Sequence, residues 1–174
     1  MKFFIACFTV LLLATAAQAR DELSGRITAI DPAKETLEIS GVTIDAKGAD
    51  IQGLLFSRSL SKYKVGEMAR IEGRFSGPRE MKATKVEKKI FEHFEIEAVL
   101  DEVDARARTL KISGITVKVP EGVKIEDIDG KRTTLDKLAN GQKVEVEGEW
   151  SGPAEFTAAK VEMKKNEKKE QEKD

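Results

Sequence analysis

The sequence predicts an all-β fold in which two small five-stranded barrels follow one another along the chain. Two similar stretches support this prediction: residues 65–78 read VGEMARIEGRFSGP, and residues 140–153 read NGQKVEVEGEWSGP. They share many positions at a separation of 75 residues, which indicates an internal duplication. Both stretches also alternate apolar and charged residues, the pattern of a strand with one buried face and one wet face.

This alternation assigns a direction to the side chains of the two strands. Val146 and Trp150 fall on one face of the second stretch, and the glutamates between them fall on the other. Ile71 and Phe75 hold the corresponding places in the first stretch. We therefore expect Phe75 and Trp150 to point into the core rather than to form a platform on the surface. A Ser-Gly-Pro turn ends both strands, because proline cannot donate a hydrogen bond to a continuing ladder.

Turn residues divide the rest of the first copy into strands. Asp31-Pro32 and Ser40-Gly41 are turn sequences that separate the first three strands. The longer connection after the third strand predicts a short helix over residues 54–63. The predicted strands are residues 20–31, residues 36–40, a strand that begins at Val42, the strand of the stretch 65–78 that ends at its Ser-Gly-Pro turn, and residues 81–90.

The second copy repeats this order. TLKISGITV at residues 109–117 matches TLEISGVTI at residues 36–44. Thr133 or Thr134 can begin the helix of this copy, and Asn140-Gly141 can end it. The order of three strands, a short helix and two further strands is that of a small, partly open Greek-key barrel of the OB type.

The N-terminus predicts export. Lys2 precedes an apolar run, and small residues ending in Ala17-Gln18-Ala19 follow it. This is the pattern of a secretory signal peptide over residues 1–19, cleaved after Ala19. The alternative is an uncleaved anchor, although the run is shorter than the ~20 residues of a membrane span. Cys7, the one cysteine, lies in this segment, so the exported chain is expected to form no disulfide. Once the signal peptide is cleaved, no transmembrane segment is predicted. The predicted location is the periplasm or the cell exterior.

Three segments follow the signal peptide: a first module over residues 20–91, a second over residues 92–163, and a charged tail over residues 164–174. The tail has no apolar residue and is expected to be disordered or a frayed helix. Phe91 and Phe94 are expected at the contact between the modules. The first module holds 14 Lys and Arg against 11 Asp and Glu, and the second holds 10 against 16. This asymmetry is typical of electrostatic docking, but drift of a solvated surface is the simpler explanation.

Four short patterns resemble a known family. They are G-x-I-x-x-I-D, T-L-x-I-x-G-x-x-I/V, V/N-G-x-x-x-x-x-E-G and A-x-x-V/I, in that order. They occur in residues 22–90 and again in residues 94–163, where the chain is similar to the exported bacterial domain-of-unknown-function family numbered 5666. The resemblance implies an OB-like barrel in each copy and carries over no catalytic residue. Ser-Gly-Pro stands where an Asp-Gly-containing turn is more common in that family.

OB-type barrels bind ligands beside strands two and three, between the first-to-second and the fourth-to-fifth loops. Basic side chains occupy these loops in both copies. We expect them to bind the ligand: Lys34, Arg79, Lys82, Arg106 and Arg108. An oligosaccharide, an acidic peptide or a nucleic-acid strand would fit this charge. Nucleic acid is disfavoured, because base stacking needs exposed aromatic side chains and the predicted strands provide none.

The sequence offers no set of residues for catalysis or for metal binding. His93 is the only histidine, and a triad or a zinc site needs partners that the exported chain lacks. Residues 126–130, EDIDG, resemble a calcium loop without its full set of ligands, so a solvated turn is favoured. Glu145, Glu147 and Glu149 lie on the predicted solvent face, where burial cannot raise a carboxyl pKa for acid–base catalysis. No cofactor is expected.

The sequence therefore predicts a non-enzymatic exported binding or scaffold protein. Its partner would be an unidentified protein or polar ligand of the cell envelope. The alternative is a binder of an anionic polymer, a nucleic acid or a polysaccharide, through the basic loops of the first module.

Overall fold

The computed structural model describes residues 20–53 and 59–166, of which 58% lie in strands. The fold is all-β: these residues form no α-helix, and none of them belongs to a helix long and apolar enough to cross a membrane. The strands are β1 (Asp21–Asp31), β2 (Thr36–Ile39), β3 (Val42–Asp45), β4 (Asp50–Gln52), β5 (Met68–Gly77), β6 (Glu80–Lys89), β7 (Phe94–Val99), β8 (Glu102–Asp104), β9 (Thr109–Ile112), β10 (Ile115–Lys118), β11 (Lys124–Glu126), β12 (Lys143–Gly152) and β13 (Glu155–Met163).

The two predicted OB-like barrels are replaced by one continuous sheet, so that prediction is wrong. β1 pairs antiparallel with β7, with Leu23 opposite Ile96 and Glu22 opposite Glu97. This pairing joins the ladders of both halves into a single sheet of 13 strands. The sheet is arranged as a β-solenoid of about 3 turns. Alternation fixes which face of a strand is buried, but it does not fix which strand lies beside it.

The strand order along this sheet is β2, β3, β6, β5, β1, β7, β12, β13, β10, β9 and β8. β4 pairs with β6, and β11 pairs with β13, to the side of this path. Neighbouring strands are antiparallel, except that β3 and β4 run parallel to β6, and β10 and β11 run parallel to β13. The same kinds of pairing therefore recur on both sides of the contact between β1 and β7.

Each predicted helix is a single 3-10 turn in the described structure. The two turns span Leu60–Lys62 and Leu135–Lys137. Residues 54–58, where the first helix was expected to begin, lie outside the described residues. Leu135 and Leu138 are both buried although they are only three positions apart. Side chains three positions apart lie on the same face of a 3-10 turn, so a single turn brings both leucines to the core without a longer helix.

Two glycines lie where the long strands shift register. The ladder between β5 and β6 shifts at Gly73, and the ladder between β12 and β13 shifts at Gly148. A Cβ atom on Gly73 would lie 2.2 Å from the carbonyl oxygen of Lys82, and one on Gly148 would lie 2.1 Å from that of Thr157. The two backbones approach too closely for any side chain, which explains the glycine in both strands.

One hydrophobic cluster contains side chains from both halves of the chain. Within it, the rings of Trp150 and Phe156 meet edge to face, with centroids 5.2 Å apart and planes at 84°. Trp150 also covers Gly25, where a Cβ atom would lie 2.8 Å from the indole Nε1. Phe75 and Trp150 are partly buried and pack against the cluster. The indole therefore occupies space that only a glycine on β1 leaves open.

The two Ser-Gly-Pro turns contact opposite halves of the chain. The N–H of Arg79, in the β5–β6 turn, donates to the carbonyl oxygen of Ser113 at 2.6 Å, and the N–H of Ala154, in the β12–β13 turn, donates to that of Ser40 at 2.6 Å. Arg79 and Ala154 both have a positive φ, 60° and 54°, a conformation that non-glycine residues seldom adopt. The contacts are reciprocal and add two attachments to the β1–β7 ladder.

Lys143 links both ends of the described chain. Its buried ammonium Nζ donates to the carbonyl oxygen of Arg20 at 2.8 Å and lies 2.6 Å from a carboxylate oxygen of Glu97. Its backbone N–H donates to Oδ1 of Asn166 at 2.9 Å. The buried cation thus has the charged partner that burial requires, and the first and last described segments meet at one residue.

Candidate functional site

The structure places two of the predicted ligand-binding residues at opposite ends of the β2–β3 hairpin. Lys34 is exposed in the β1–β2 turn, and its ammonium lies 3.1 Å from the carboxylate of Asp31. Arg79 lies near the other end, beside the Ser40-Gly41 turn, since its carbonyl oxygen accepts a hydrogen bond from the N–H of Thr43. The hairpin therefore separates the two loops that were expected to hold a ligand between them.

The other three predicted residues are also spread over the surface. Lys82 is exposed on β6, opposite Asp45 of β3. Arg106 is exposed in the β8–β9 turn. The guanidinium of Arg108 donates to the carbonyl oxygens of Val119 at 2.8 Å and Pro120 at 2.7 Å. Arg108 therefore ties the β8–β9 turn to the segment that follows β10.

The predicted calcium-like loop is a hydrogen-bonded turn. Oδ1 of Asp127 accepts from the N–H groups of Asp129 and Lys131, both at 2.9 Å. The carboxylate of Glu126 lies 2.7 Å from the ammonium of Lys124. These contacts use the acidic groups of the loop to close the turn and to pair with a lysine.

A cavity lies where the connection between β6 and β7, residues 90–93, passes over the junction of the two halves. Its volume is about 330 Å³, which falls within the range of pockets that bind ligands. Side chains from both halves and from the connection line it, among them Ser24, Arg70, Lys88, Ile90, Phe91 and Glu95.

The cations around this cavity already have partners within the chain. Each pairs with a glutamate: Arg70 with Glu22, Lys88 with Glu67 at 2.6 Å, and Lys89 with Glu87 at 2.9 Å. The hydrogen bond from Lys88 holds the pKa of Glu67 below its ordinary value, and the bond from Lys89 does the same for the pKa of Glu87. The three cations of the cavity wall therefore have charged partners within the chain.

Ser24, His93 and Glu95 lie together beside the cavity, but they do not form a catalytic triad. The hydroxyl of Ser24, a residue only 4% exposed, donates to the carbonyl oxygen of His93 at 2.6 Å and accepts from the N–H of Glu95 at 2.8 Å. Nε2 of His93 lies 3.0 Å from Oε2 of Glu95. Because the hydroxyl bonds to backbone groups and not to the imidazole, it joins β1 to the start of β7 and is not activated as a nucleophile.

An exposed apolar surface borders the cavity. It consists of Val65, Ile90 and Phe91, here called the connection patch, whose exposed fractions are 61%, 66% and 77%. Arg26 joins the two chain segments, because its Nη1 donates to the carbonyl oxygen of Gly66 at 2.8 Å and its guanidinium pairs with the glutamate that follows Phe91. Three of the five exposed large hydrophobic residues among those described therefore gather here. Phe91 was expected at the contact between the halves, and its exposure contradicts that prediction.

The second half has polar residues where the first half has the connection patch. The matching strand pairings place Asn140, Lys165 and Asn166 at the three equivalent positions. The side-chain amide of Asn166 donates to the carbonyl oxygen of Gly141 at 2.9 Å. The strand pairings that the two halves share thus form in the second half with polar side chains at these positions. Scattered apolar residues on a surface are ordinary, but a cluster of them indicates an interaction site.

Glutamates face one another across the junction of β7 and β12. Carboxylate oxygens of Glu95, Glu97 and Glu145 lie within 4.8 Å of one another, and these are the described residues that could hold a metal ion. Burial raises the pKa of Glu95 above its ordinary value, and the nearby carboxylate of Glu145 raises it further. Lys143 lies 2.6 Å from Glu97, and Lys164 lies 2.8 Å from Glu145. The chain therefore supplies its own cations to two of the three carboxylates.

A second cavity, of about 500 Å³, lies on the other side of the connection. It is open and acidic, and its lining includes Glu92, His93, Glu147, Glu149 and Thr157. His93 therefore lies between the two cavities. The sequence did not indicate either cavity, because both depend on which strands lie beside the connection.

Comparison with known families finds one match. Residues 96–162, fewer than half of the 174 residues, match the family model described as a domain of unknown function (DUF5666). The resemblance expected over residues 22–90 stays a prediction. Neither the curated proteins nor the solved structures contain a match to this chain. What the comparisons establish is that the second half of this chain, from β7 to β13, is similar to the domain of unknown function DUF5666.

Proposed function

We propose that this chain is a non-enzymatic exported protein that binds or scaffolds a partner in the periplasm or outside the cell. The observation that supports this proposal most directly is the connection patch beside its cavity. The patch exposes three apolar side chains at positions where the second half, with matching strand pairings, has polar residues. Export rests on the signal-peptide pattern of residues 1–19.

The balanced charge around the patch favours a protein partner. A polar or ionic ligand would find the cations of the cavity wall already paired with glutamates. The patch extends beyond the cavity to Val65, so a partner that covers it must be larger than a ligand held by the cavity alone. Apolar centres with polar rims are typical of protein–protein contacts.

A binder of anionic polymers is the alternative function. The exposed side chains of Lys34, Arg79 and Lys82 favour it. The separation of Lys34 and Arg79 by the length of a hairpin disfavours it, because a polymer gains most from neighbouring positive charges.

Site-specific photo-cross-linking tests the proposed function. A photoreactive phenylalanine analogue replaces Phe91 in cells that export the protein. In the control the same analogue replaces Ile128, which is 53% exposed and lies outside the patch in the turn after β11. We expect discrete protein adducts from position 91 that are absent from position 128. Equal adducts from both positions, or none from position 91, would overturn the proposal.

A further inference from the structure

The connection patch presents a projecting side chain and a cavity side by side. Phe91 is 77% exposed and also lines the cavity of about 330 Å³. A phenyl ring is the kind of group that a largely apolar pocket of this size accepts, and buried aromatic anchors contribute strongly to interfaces. One surface therefore carries both a group that could insert and a space that could receive it.

When two identical surfaces meet, each can insert its own ring and receive the ring of the other. In a dimer with two-fold symmetry, the same patch on each copy faces the other. The ring of Phe91 of one copy would then enter the cavity of its partner, and the partner's ring would enter the first cavity. This closes the contact after two copies, whereas a projection and a cavity on distant surfaces would build open chains.

The charges around the patch permit such a contact. Arg26 pairs with Glu92, Lys88 with Glu67, and the two other cations beside the cavity also pair with glutamates of the same chain. Two copies would therefore meet without the repulsion between like charges that disfavours association. An acidic or a basic partner would gain no such match from the rim.

We propose that the partner of the connection patch is the same patch of a second copy of this chain, a proposal that rests on the proposed binding function. The dimer centres on Ile90 and Phe91. Three apolar side chains are few against the roughly 20–30 residues that each partner contributes to a standard interface. We therefore expect a reversible dimer with a dissociation constant in the micromolar range.

Sedimentation velocity tests this proposal on residues 20–174, which contain every described element. Samples from about 1 to about 200 µM span the expected dissociation constant. The weight-average mass of the unmodified chain should rise towards twice the monomer mass across this series. Phe91→Asp places a charge at the centre of the contact and should raise the dissociation constant at least about tenfold.

Two further variants separate this contact from general stickiness. His93→Trp enlarges a side chain that lines the cavity while leaving Phe91 in place, and it should also weaken the dimer. Ile128→Asp removes another exposed apolar side chain, one that lies outside the patch in the turn after β11, and it should leave the dissociation constant unchanged. Circular dichroism verifies that all three variants are folded.

The outcomes distinguish the two proposals. A chain that stays monomeric over the whole series, or a dimer that Phe91→Asp does not weaken, overturns the dimer. Adducts from position 91 at a mass other than twice that of the chain would then still support the proposed function with a different protein. Monomers in solution together with no adduct from position 91 would overturn both.

Discussion

The indole Nε1 of Trp150 donates a hydrogen bond of 3.0 Å to the backbone carbonyl oxygen of Ser24, 126 positions earlier in the chain. This bond crosses the junction between the two halves, beside the ladder in which Leu23 lies opposite Ile96. A carbonyl group at such a place needs a donor once it is removed from water. The single tryptophan of the chain therefore does two things at the junction: it fills the space over Gly25 and satisfies a polar group.

Replacing Trp150 by Phe should destabilise the whole chain. The variant loses the donor to Ser24 and leaves part of the space over Gly25 empty, which together should lower the free energy of unfolding by about 1–3 kcal/mol. Urea titration followed by far-ultraviolet circular dichroism measures the change, because tryptophan fluorescence is lost in the variant. An unfolding midpoint equal to that of the unmodified chain would show that the junction does not depend on this side chain.

Two glycines of β5 provide a matched pair for testing the register shift. Gly73→Ala places a Cβ atom 2.2 Å from the carbonyl oxygen of Lys82, whereas the nearest atom to a Cβ on Gly77 is the flexible carboxylate of Glu80 at 3.5 Å. We expect Gly73→Ala to lower the free energy of unfolding by about 3 kcal/mol or to prevent folding. Gly77→Ala should change it by no more than about 0.5 kcal/mol. Similar effects of both substitutions on urea midpoints would argue against the close backbone approach.

The stability contributed by Glu95 should depend on pH. Burial raises the pKa of Glu95 in the folded chain, with a further increase from Glu145 and Glu22 and opposing effects from His93 and Arg70. A carboxyl group with a raised pKa binds its proton more tightly in the folded state, so it favours folding at low pH. That contribution is lost as the pH rises from about 4.3, the ordinary value, through the folded pKa.

Glu95→Gln should therefore raise the melting temperature at pH 7 and leave it nearly unchanged at about pH 4, where the carboxyl group is itself protonated. Each comparison is made with the unmodified chain at the same pH, because carboxylates with lowered pKa values, such as Glu67 and Glu162, lose their stabilising effect in acid. A larger gain at pH 4 than at pH 7 would contradict the proposed direction of the pKa change.

Lys143 and Glu97 should behave as a coupled pair. Lys143→Met leaves the partly buried carboxylate of Glu97 and the carbonyl oxygen of Arg20 without this donor. It should lower the free energy of unfolding by about 2–4 kcal/mol. Adding Glu97→Gln removes the unpaired charge and should recover part of that loss. The first half has Met68 at the position equivalent to Lys143, so the fold accepts methionine there. If the two losses simply add in a double-mutant cycle, the pair is not coupled.

Heparin chromatography tests the polymer alternative. We expect elution below about 0.15 M salt, because a few separated cations release few counterions. Arg79→Ala combined with Lys82→Ala should then change elution little. Alanine suits the turn, since Ala154 has the equivalent positive φ in the second half. Strong retention that this double substitution abolishes would support the anionic-polymer function instead of the proposed one.

The positions of several strands could be predicted because their signal is local. Strands expected over residues 36–40 and 81–90 occur as Thr36–Ile39 and Glu80–Lys89. The predicted Ser40-Gly41 turn has a positive φ at both residues, 46° and 82°, which is the geometry of a two-residue hairpin turn. Period-two alternation and turn residues are sufficient for elements of this kind.

Features that depend on distant pairing could not be predicted in the same way. β4 and β11 have 3 residues each, too few for alternation to indicate a strand. The pairing of Leu23 with Ile96, which makes the sheet continuous, joins residues whose local patterns resemble any buried strand. The candidate site was missed for a similar reason: Ile90 and Phe91 look the same in sequence whether they are buried or exposed. Only the polar residues at the equivalent positions of the second half distinguish them.

The meeting of Arg20 and Asn166 at Lys143 has a practical consequence. The chain enters and leaves the described fold at one place, so a covalent link at either end would hold the protein in much the same orientation. A short linker that joins these ends, with new termini opened at an exposed turn such as Glu121-Gly122, would give a circular permutant that retains every strand pairing. Immobilising the protein through either end would present both cavities to the solution in much the same orientation.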